Sequence, residues 1–260
     1  MTPPTFEELI GLSRTSAGVY ERDLDRTFFG SLAQFGGYSM ALCLEAMRIE
    51  LDDGGLRPRV YTQQFGGPVQ DGPCRIDVAV ERRGKRMAQL TARITTHNGQ
   101  CGSASASFVA DRETPAFDDL EHPAVAPIGD DEQPVETLPV PIHDRYEFYP
   151  RFDTGIETPS VAGGWVVPKE PCAWGPALLL HLSDLWPPPA LQIPERLGMM
   201  LSFEHHAHVD ATGGTADSCG PFLIRTRSGR LVSGLSDEDI EIWDAAGALL
   251  LRARQHRIYV

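Results

Sequence analysis

The sequence lacks the marks of several large classes of protein. Its 260 residues contain no apolar run long enough to cross a bilayer. The first 15 residues have neither the basic nor the apolar part of a secretory signal peptide. A G-x-S-x-G nucleophile elbow is also missing, which argues against an α/β-hydrolase. These absences predict a globular protein without a membrane span, and we expect it in the cytoplasm.

Cysteine is scarce and irregularly placed. The five cysteines are widely scattered, odd in number and free of C-x-x-C spacing: Cys43, Cys74, Cys101, Cys172 and Cys219. A disulfide framework or a cysteine-based metal site would need paired or clustered cysteines. The pattern therefore predicts reduced, mostly buried thiols.

Positive charge is scarce as well, since 23 Lys and Arg stand against 36 Asp and Glu, a formal net charge of −13. Much of the excess lies in residues 111–141, which hold nine acids, six prolines and Arg112 as the single Lys or Arg. This stretch predicts a solvated linker between an N-terminal domain, 1–110, and a C-terminal domain, 142–260. The acidic balance argues against a nucleic-acid partner, which would require a basic surface.

The chain does contain the same order of elements twice. A nearly all-apolar helix is predicted over residues 34–51 and another over 173–186. Short strands precede them at 18–23 and 163–167. Four strand-like runs follow each helix: 57–69, 73–83, 86–97 and 100–110 in the first half, and 197–210, 219–228, 230–244 and 248–259 in the second.

Turn glycines also recur from the first half to the second, at spacings of 142, 145 and 148 residues. The pairs are Gly72 with Gly214, Gly84 with Gly229, and Gly99 with Gly247. Because an all-apolar helix must be enclosed, each half is predicted as an antiparallel sheet wrapped around one central hydrophobic helix. This is an α+β fold of the tandem (double) hotdog type; the alternative is an unrelated α+β protein with accidental turn spacing.

Residues 201–210, LSFEHHAHVD, hold a dense set of potential ligands. Strict strand alternation gives one polar face with Ser202, Glu204, His206, His208 and Asp210. The other face would carry Phe203, His205, Ala207 and Val209. A metal held by His206 and His208 would need a third ligand from elsewhere, and no second His or Cys cluster with ligand spacing is visible. We therefore predict no metal site.

Several motifs, in the correct order, resemble the acyl-CoA thioesterase II family, whose members are double hotdogs. They are FFGSLAQFGGYSMALCLEAM at the first helix, HNGQCGSASASFVA at the end of the first half, LLLHLSDLWPPPALQ at the second helix, SFEHHAHVD in the next strand, and LLLRARQHRIYV at the C-terminus. The resemblance covers roughly residues 15–260. It implies a thioester hydrolase that needs no metal or other cofactor.

In that family a carboxylate on the second helix, a hydroxyl on the next strand and a glutamine on the last strand hold the hydrolytic water. The resemblance assigns these roles to Asp184, Ser202 and Gln255. An alignment on the later histidine of the strand would instead place Met200 at the hydroxyl position. The residues after Gln255 are His256-Arg257, where the family has Glu-Gly.

The residue types suit these roles. Asp184 lies among leucines and a tryptophan, and a partly desolvated carboxylate is a better general base near neutrality. Gln255 can orient a water without competing for its proton. The alternatives without a catalytic role are a solvent-facing position at a helix end for Asp184 and an outward strand position for Gln255. Alignment of the turns makes Ser107 the counterpart of Gln255, so the last strand of the first half lacks the amide. This predicts a single site, which is placed by the second half.

Phe35, Gly36 and Gly37 open the first helix and are predicted to bind substrate. The glycines could let a substrate approach backbone N–H groups that stabilise an oxyanion, or could merely permit close packing. The basic run 82–86 could face CoA phosphates or form a solvated hairpin tip.

The predicted function is hydrolysis of fatty acyl-CoA thioesters, with a water activated by Asp184 and oriented by Ser202 and Gln255. Two alternatives stay open. One is a non-catalytic double hotdog that binds acyl-CoA. The other is an enoyl-CoA hydratase, although SDLWPPPALQ lacks the histidine of a hydratase-type Asp-x-x-x-x-His. The predicted partners are acyl-CoA and a second copy of the chain, giving a dimer of double hotdogs.

Overall fold

The described part of the computed structural model, residues 4–115, 117–153, 160–170, 172–193, 200–210 and 220–260, contains one antiparallel sheet of twelve strands. The strands are β1 (Ser13–Ser16), β2 (Val19–Leu24), β3 (Arg57–Phe65), β4 (Gly72–Arg83), β5 (Met87–Thr96), β6 (Gly99–Val109), β7 (Tyr146–Asp153), β8 (Val161–Pro168), β9 (Met200–Val209), β10 (Phe222–Val232), β11 (Leu235–Asp244) and β12 (Leu249–Tyr259). The α-helices are α1 (Phe6–Ile10), α2 (Gly36–Leu51) and α3 (Pro176–Leu182), and short 3-10 helices span His143–Arg145 and Pro189–Gln192.

The strand order is symmetric about the centre of the sheet: β1-β2-β4-β5-β6-β3-β9-β12-β11-β10-β8-β7. Counted outward from the central β3–β9 pair, the strands of the first half and those of the second half occur in equivalent order. The central ladder pairs residues 60–64 with 204–208, so the two halves share one continuous sheet. The predicted antiparallel organisation, with strands following each helix, is confirmed.

Helix α2 is buried on almost every side, including Tyr38, Met40, Leu42 and Met47. It packs against β4 and β5 of its own half and against α3. Its end is set by Asp52, whose φ of 45° is left-handed and stops the helical hydrogen-bond pattern. Nearly every position of α2 is therefore packed against other parts of the protein. This agrees with the enclosed, nearly all-apolar helix predicted from the sequence.

Helix α3 is shorter than predicted. Pro176 lies in its first turn and the helix ends at Leu182, whereas the apolar run predicted helix to residue 186. Residues 183–185 form turns instead. Because the helix ends early, Asp184 lies in a turn and not on a helical face.

One predicted turn is wrong. The β10–β11 hairpin turns at Ser233 and Gly234, which have φ of 54° and 73°, as a two-residue hairpin loop requires. The predicted break at Ser228-Gly229 is an irregularity within β10, where the ladder register shifts between Arg227 and Arg230. The spacing of 145 residues therefore does not link equivalent turns. Gly213-Gly214 lies outside the described residues.

The acidic stretch has two parts with different surroundings. The described residues between 111 and 121 are exposed. Further on, the carbonyl of Ala126 accepts from Trp165 Nε1 at 2.8 Å, and Glu132 pairs with Arg151 at 2.7 Å. Val125 and Ile128 pack on a second apolar cluster that includes Trp165 and Trp243. The described residues of the first part are therefore solvated, whereas the second part, although many of its residues are exposed, packs on the C-terminal half.

The thiols that the structure describes, Cys43, Cys74, Cys101 and Cys172, are buried, and Cys219 lies outside the described residues. Within the described ranges, no helix combines the length and apolarity needed to cross a membrane.

Candidate active site

Asp184 is the centre of a buried polar cluster between α2, α3 and the sheet. Its side chain accepts three hydrogen bonds although the residue is only 5% exposed. Oδ2 accepts from the backbone N–H of Gly37 at 3.0 Å, at the start of α2. Oδ1 accepts from Gln255 Nε2 at 2.8 Å and from Arg257 Nη2 at 2.9 Å. The carboxylate is thus held by both halves of the chain, and the solvent-facing alternative does not apply.

The structure brings the three predicted residues together. Gln255 is fully buried on β12, and its Nε2 donates to Ser202 Oγ as well as to Asp184. Met200 pairs with Tyr259 at the start of β9, so Ser202 is the β9 residue that contacts Gln255. Of the two residues that the sequence offers for the hydroxyl position, Ser202 is thus the one in contact with Gln255.

A β-bulge at Phe203 turns Ser202 toward the site. Glu204 pairs with His256 and Ser202 with Arg257, so two steps on β9 match one step on β12. Strict alternation was therefore wrong for Ser202, which shares the inner face with His205 and not the outer face with His206. Phe203, predicted on the same face as His205, is instead 39% exposed and stacks on His256. His205, Ala207 and Val209, predicted on one face, are all buried.

Arg257 is the site residue that the sequence reasoning missed. It is 6% exposed and donates to Asp184, to Ser202 Oγ at 3.0 Å and to Glu238 Oε2 at 2.9 Å. Glu238, on β11, is 1% exposed. A signal was present, because Gln255 and Arg257 are two apart on one strand and must share a face.

Burial dominates the electrostatics of the surrounding groups. Burial raises the pKa of Glu238, and Arg257 partly opposes this. Burial alone would lower the pKa of Arg257, but the carboxylates of Glu238 and Asp184 raise it above its ordinary value. His205, whose Nε2 is 3.0 Å from Ser183 Oγ, has its pKa lowered to about 4 by burial. The cluster therefore holds a charged guanidinium and a neutral imidazole.

The two glycines at the start of α2 are in close contact with α3 and the residues that follow it. A Cβ on Gly37 would lie 2.4 Å from the carbonyl oxygen of His181, and one on Gly36 would lie 2.6 Å from Asp184 Oδ2. Phe35 is the N-cap of α2, and its ring centroid is 5.6 Å from that of His181. Gly37 thus permits close packing of α2 against α3, which was one of the two alternatives. Its N–H already donates to Asp184.

Ser107 is not the counterpart of Gln255. Ser107 lies between Ala106 and Phe108, which are buried in the core, and alternation turns it to the opposite face of the sheet. It lines a surface depression with Gln89 and Thr91. The buried residues of β6 nearest to it, Ala104, Ala106 and Phe108, are apolar, so the last strand of the first half has no buried amide at these positions.

The outer face of β9 is separate from the site. His206 and His208 approach each other at 3.0 Å between their Nε2 atoms, and Thr62 Oγ1 lies 2.8 Å from His206 Nδ1. Over the ranges that the structure describes, no three His, Cys, Asp or Glu side chains come close enough to hold a metal ion. The basic residues near the β4–β5 hairpin tip, 82–86, are exposed.

The chain is similar to known proteins over most of its length. The chain matches the acyl-CoA thioesterase N-terminal domain over residues 25–109 and the acyl-CoA thioesterase C-terminal domain over residues 119–258. Among solved structures it is similar to a protein of unknown function with a hot dog fold from Alicyclobacillus acidocaldarius, at 19% identity and a TM-score of 0.87, covering 98% of this chain and 97% of that chain. It is also similar to an acyl-CoA thioesterase II from Mycobacterium marinum, at 18% identity and a TM-score of 0.78, with the same coverage of both chains.

No curated protein sequence matches the chain at a significant level. The structural similarity shows that the fold is a hotdog fold. The two domain matches lie in the predicted order and together cover most of the sequence. On these matches, the chain belongs to the acyl-CoA thioesterase family.

Proposed function

We propose that this protein hydrolyses fatty acyl-CoA thioesters with a water activated by Asp184 and oriented by Ser202 and Gln255. The observation that carries the proposal is the convergence of these three side chains in one buried cluster. We also propose that residues 1–110 and 142–260 form tandem hotdog units joined by 111–141. The mirrored strand order around β3 and β9 supports this division.

The hydrogen bonds of Asp184 leave one place for a water. A carboxylate has about four lone-pair sites, and three are taken by Gly37, Gln255 and Arg257. Oδ1 accepts two of these bonds and Oδ2 only one. The free site is therefore on Oδ2, beside the start of α2.

The proposed reaction balances without a covalent intermediate. Asp184 takes a proton from water while the water oxygen bonds to the thioester carbonyl carbon. The partial positive charge at the N-terminal end of α2 lies beside the site and would stabilise the tetrahedral oxyanion. The carbon–sulfur bond then breaks, and the CoA thiolate takes the proton back, which gives fatty acid and free CoA.

Replacing the base tests the proposal. Asp184→Asn keeps the size of the side chain but removes its basicity, so we expect CoA release to fall about 10³-fold. The matched control is Asp210→Asn at the end of β9, whose carboxylate pairs with Arg252. The measurement is thiol release over a panel of acyl-CoAs from C4 to C18. Unchanged turnover of Asp184→Asn on every substrate would remove Asp184 from the mechanism.

One observation favours the second candidate, a non-catalytic acyl-CoA binder. Asp184 already forms an ion pair with Arg257, which a binding site without hydrolysis could also use. Such a protein would bind acyl-CoA in calorimetry without releasing thiol. The same substrate panel therefore separates the two candidates.

A further inference from the structure

One guanidinium contacts every polar side chain of the proposed site. Arg257 donates from Nη2 to Asp184 Oδ1 at 2.9 Å and to Gln255 Oε1 at 3.2 Å. It donates from Nη1 to Ser202 Oγ at 3.0 Å and from Nε to Glu238 Oε2 at 2.9 Å. These four hydrogen bonds account for most of its five N–H groups.

We propose that Arg257, held in place by Glu238, is a positioning residue that fixes the polarity of the hydrogen bonds around the hydrolytic water. The inference rests on the proposed hydrolysis and concerns residues outside its catalytic set. It is carried by three consequences of the geometry, one for each partner of Arg257 in the site.

The first consequence concerns Gln255. A guanidinium has only donors, so the amide of Gln255 must turn its oxygen to Arg257. Its NH₂ group then faces Asp184 Oδ1 and Ser202 Oγ and donates one hydrogen to each. The reverse orientation would place a donor against the guanidinium and an oxygen against the carboxylate. Gln255 therefore orients the water through the two residues it holds.

The second consequence concerns Ser202. Its oxygen accepts from Arg257 Nη1 and from Gln255 Nε2, which occupies both lone pairs. The remaining capacity of the hydroxyl is its own hydrogen. Ser202 can therefore only donate to a water, and Asp184 is left as the acceptor of the water's proton.

The third consequence concerns the charge of the cluster. Arg257 lies between two buried carboxylates, Asp184 and Glu238, with N–O distances of 2.9 Å to each. Removal of one partner from such a buried set leaves an uncompensated charge. Glu238 pairs with Gln255 across the β11–β12 ladder and binds Nε, so it restrains the guanidinium at a different nitrogen from Asp184.

The test compares conservative variants on one strand. Arg257→Lys keeps the positive charge but loses the planar fork, so we expect kcat to fall 10- to 100-fold, by about 1.4 to 2.7 kcal/mol, with KM within about twofold. Glu238→Gln keeps an oxygen for Nε and should lower kcat only a few fold. Arg254→Lys is the control, because Arg254 is on the outer face of β12 and pairs with Asp237; its kcat should not change.

The split between kcat and KM separates positioning from a general loss of structure. Arg257→Gln removes the cation beside Asp184, so we expect a larger fall in kcat than in Arg257→Lys, again with KM within about twofold. If Arg257→Gln does not fold, Arg257→Lys and Glu238→Gln still decide the matter.

The outcomes distinguish a failure of the proposed function from a failure of the positioning role of Arg257. Wild-type turnover that equals that of Asp184→Asn defeats the proposed function itself. Dependence on Asp184 together with wild-type kcat in Arg257→Lys defeats only the positioning role. A rise in kcat in Arg257→Lys would also overturn it, because the guanidinium would then be obstructing the base. A fall in kcat at constant KM, with unchanged Arg254→Lys, supports it.

Discussion

The two halves of the sheet share one strand order but present different inner surfaces to their helices. In the first half, the buried residues near the end of β6 are Ala104, Ala106 and Phe108. The equivalent last strand of the second half, β12, carries Gln255 and Arg257 on its inner face. The first half contributes a helix start, including the N–H of Gly37, and the second contributes the side-chain chemistry. The two halves thus share one topology, while the inner faces of their last strands differ in polarity.

The central helices of the two halves also differ, in their length. Helix α2 continues for 16 residues, whereas α3 has 7 and is followed directly by Ser183 and Asp184. Because α3 stops early, the Asp184 carboxylate reaches the first turn of α2. The asymmetry of length therefore creates the contact on which the site depends.

The largest expected difference between the halves is in acid stability. Burial lowers the pKa of His181 to about 3 and that of His205 to about 4, and both lie in the second half. The unfolded state, with a pKa near 6.5, takes up these protons first, so stability is full above about pH 6.5 and is lost as pH falls. We expect the free energy of unfolding to fall by about 2 kcal/mol per histidine between pH 7 and pH 5.

Urea unfolding at the two pH values checks this. His181 lies among aromatic rings, and neither of its ring nitrogens has a hydrogen-bond partner, so His181→Phe should abolish about half of the loss. The control is His97→Gln in the first half, where the residue is exposed. An equal acid response in wild type and His181→Phe would contradict the assignment.

The next largest effect distinguishes β12 from β6. Gln255→Ala removes a donor from both Asp184 and Ser202, and we expect thiol release to fall about 10²-fold. Ser107→Ala changes an outer-face residue and should leave turnover within about twofold. Similar losses in both variants would mean that the two strands are functionally alike.

The smallest expected effect concerns the helix start. Gly37→Ala forces a Cβ against the carbonyl of His181, so we expect a loss of about 1–3 kcal/mol in unfolding free energy. Gly54→Ala, at a position with open space, is the matched control and should leave stability nearly unchanged. A stable Gly37→Ala protein would show that α2 and α3 can separate without cost.

More of the fold than of the candidate site could be predicted from the sequence. Hydrophobic runs and turn signals sufficed for the helices and strands, because burial decides both. The chain has two Ser-Gly pairs five residues apart, at 228–229 and 233–234, and only strand pairing decides that the second forms the hairpin turn. Asp184 and Gln255 were identified from motifs, but the orientation of Ser202 depends on the bulge at Phe203.

A bulge cannot be seen in one strand, since it is defined by the partner's register. Arg257 was missed for a related reason: its ion pairs join three elements far apart in the sequence. Long-range pairing, which no local pattern contains, decides both features.

The central β3–β9 pair has a consequence for how the protein can be divided. If the chain were cut in the exposed stretch after residue 111, each fragment would carry an unpaired edge strand at its former centre. Exposed edges of this kind invite association with other strands, so the separate fragments should aggregate unless they are mixed. Mixed fragments have a defined partner for each edge, so the halves are expected to be soluble as complementing pieces and not as independent proteins.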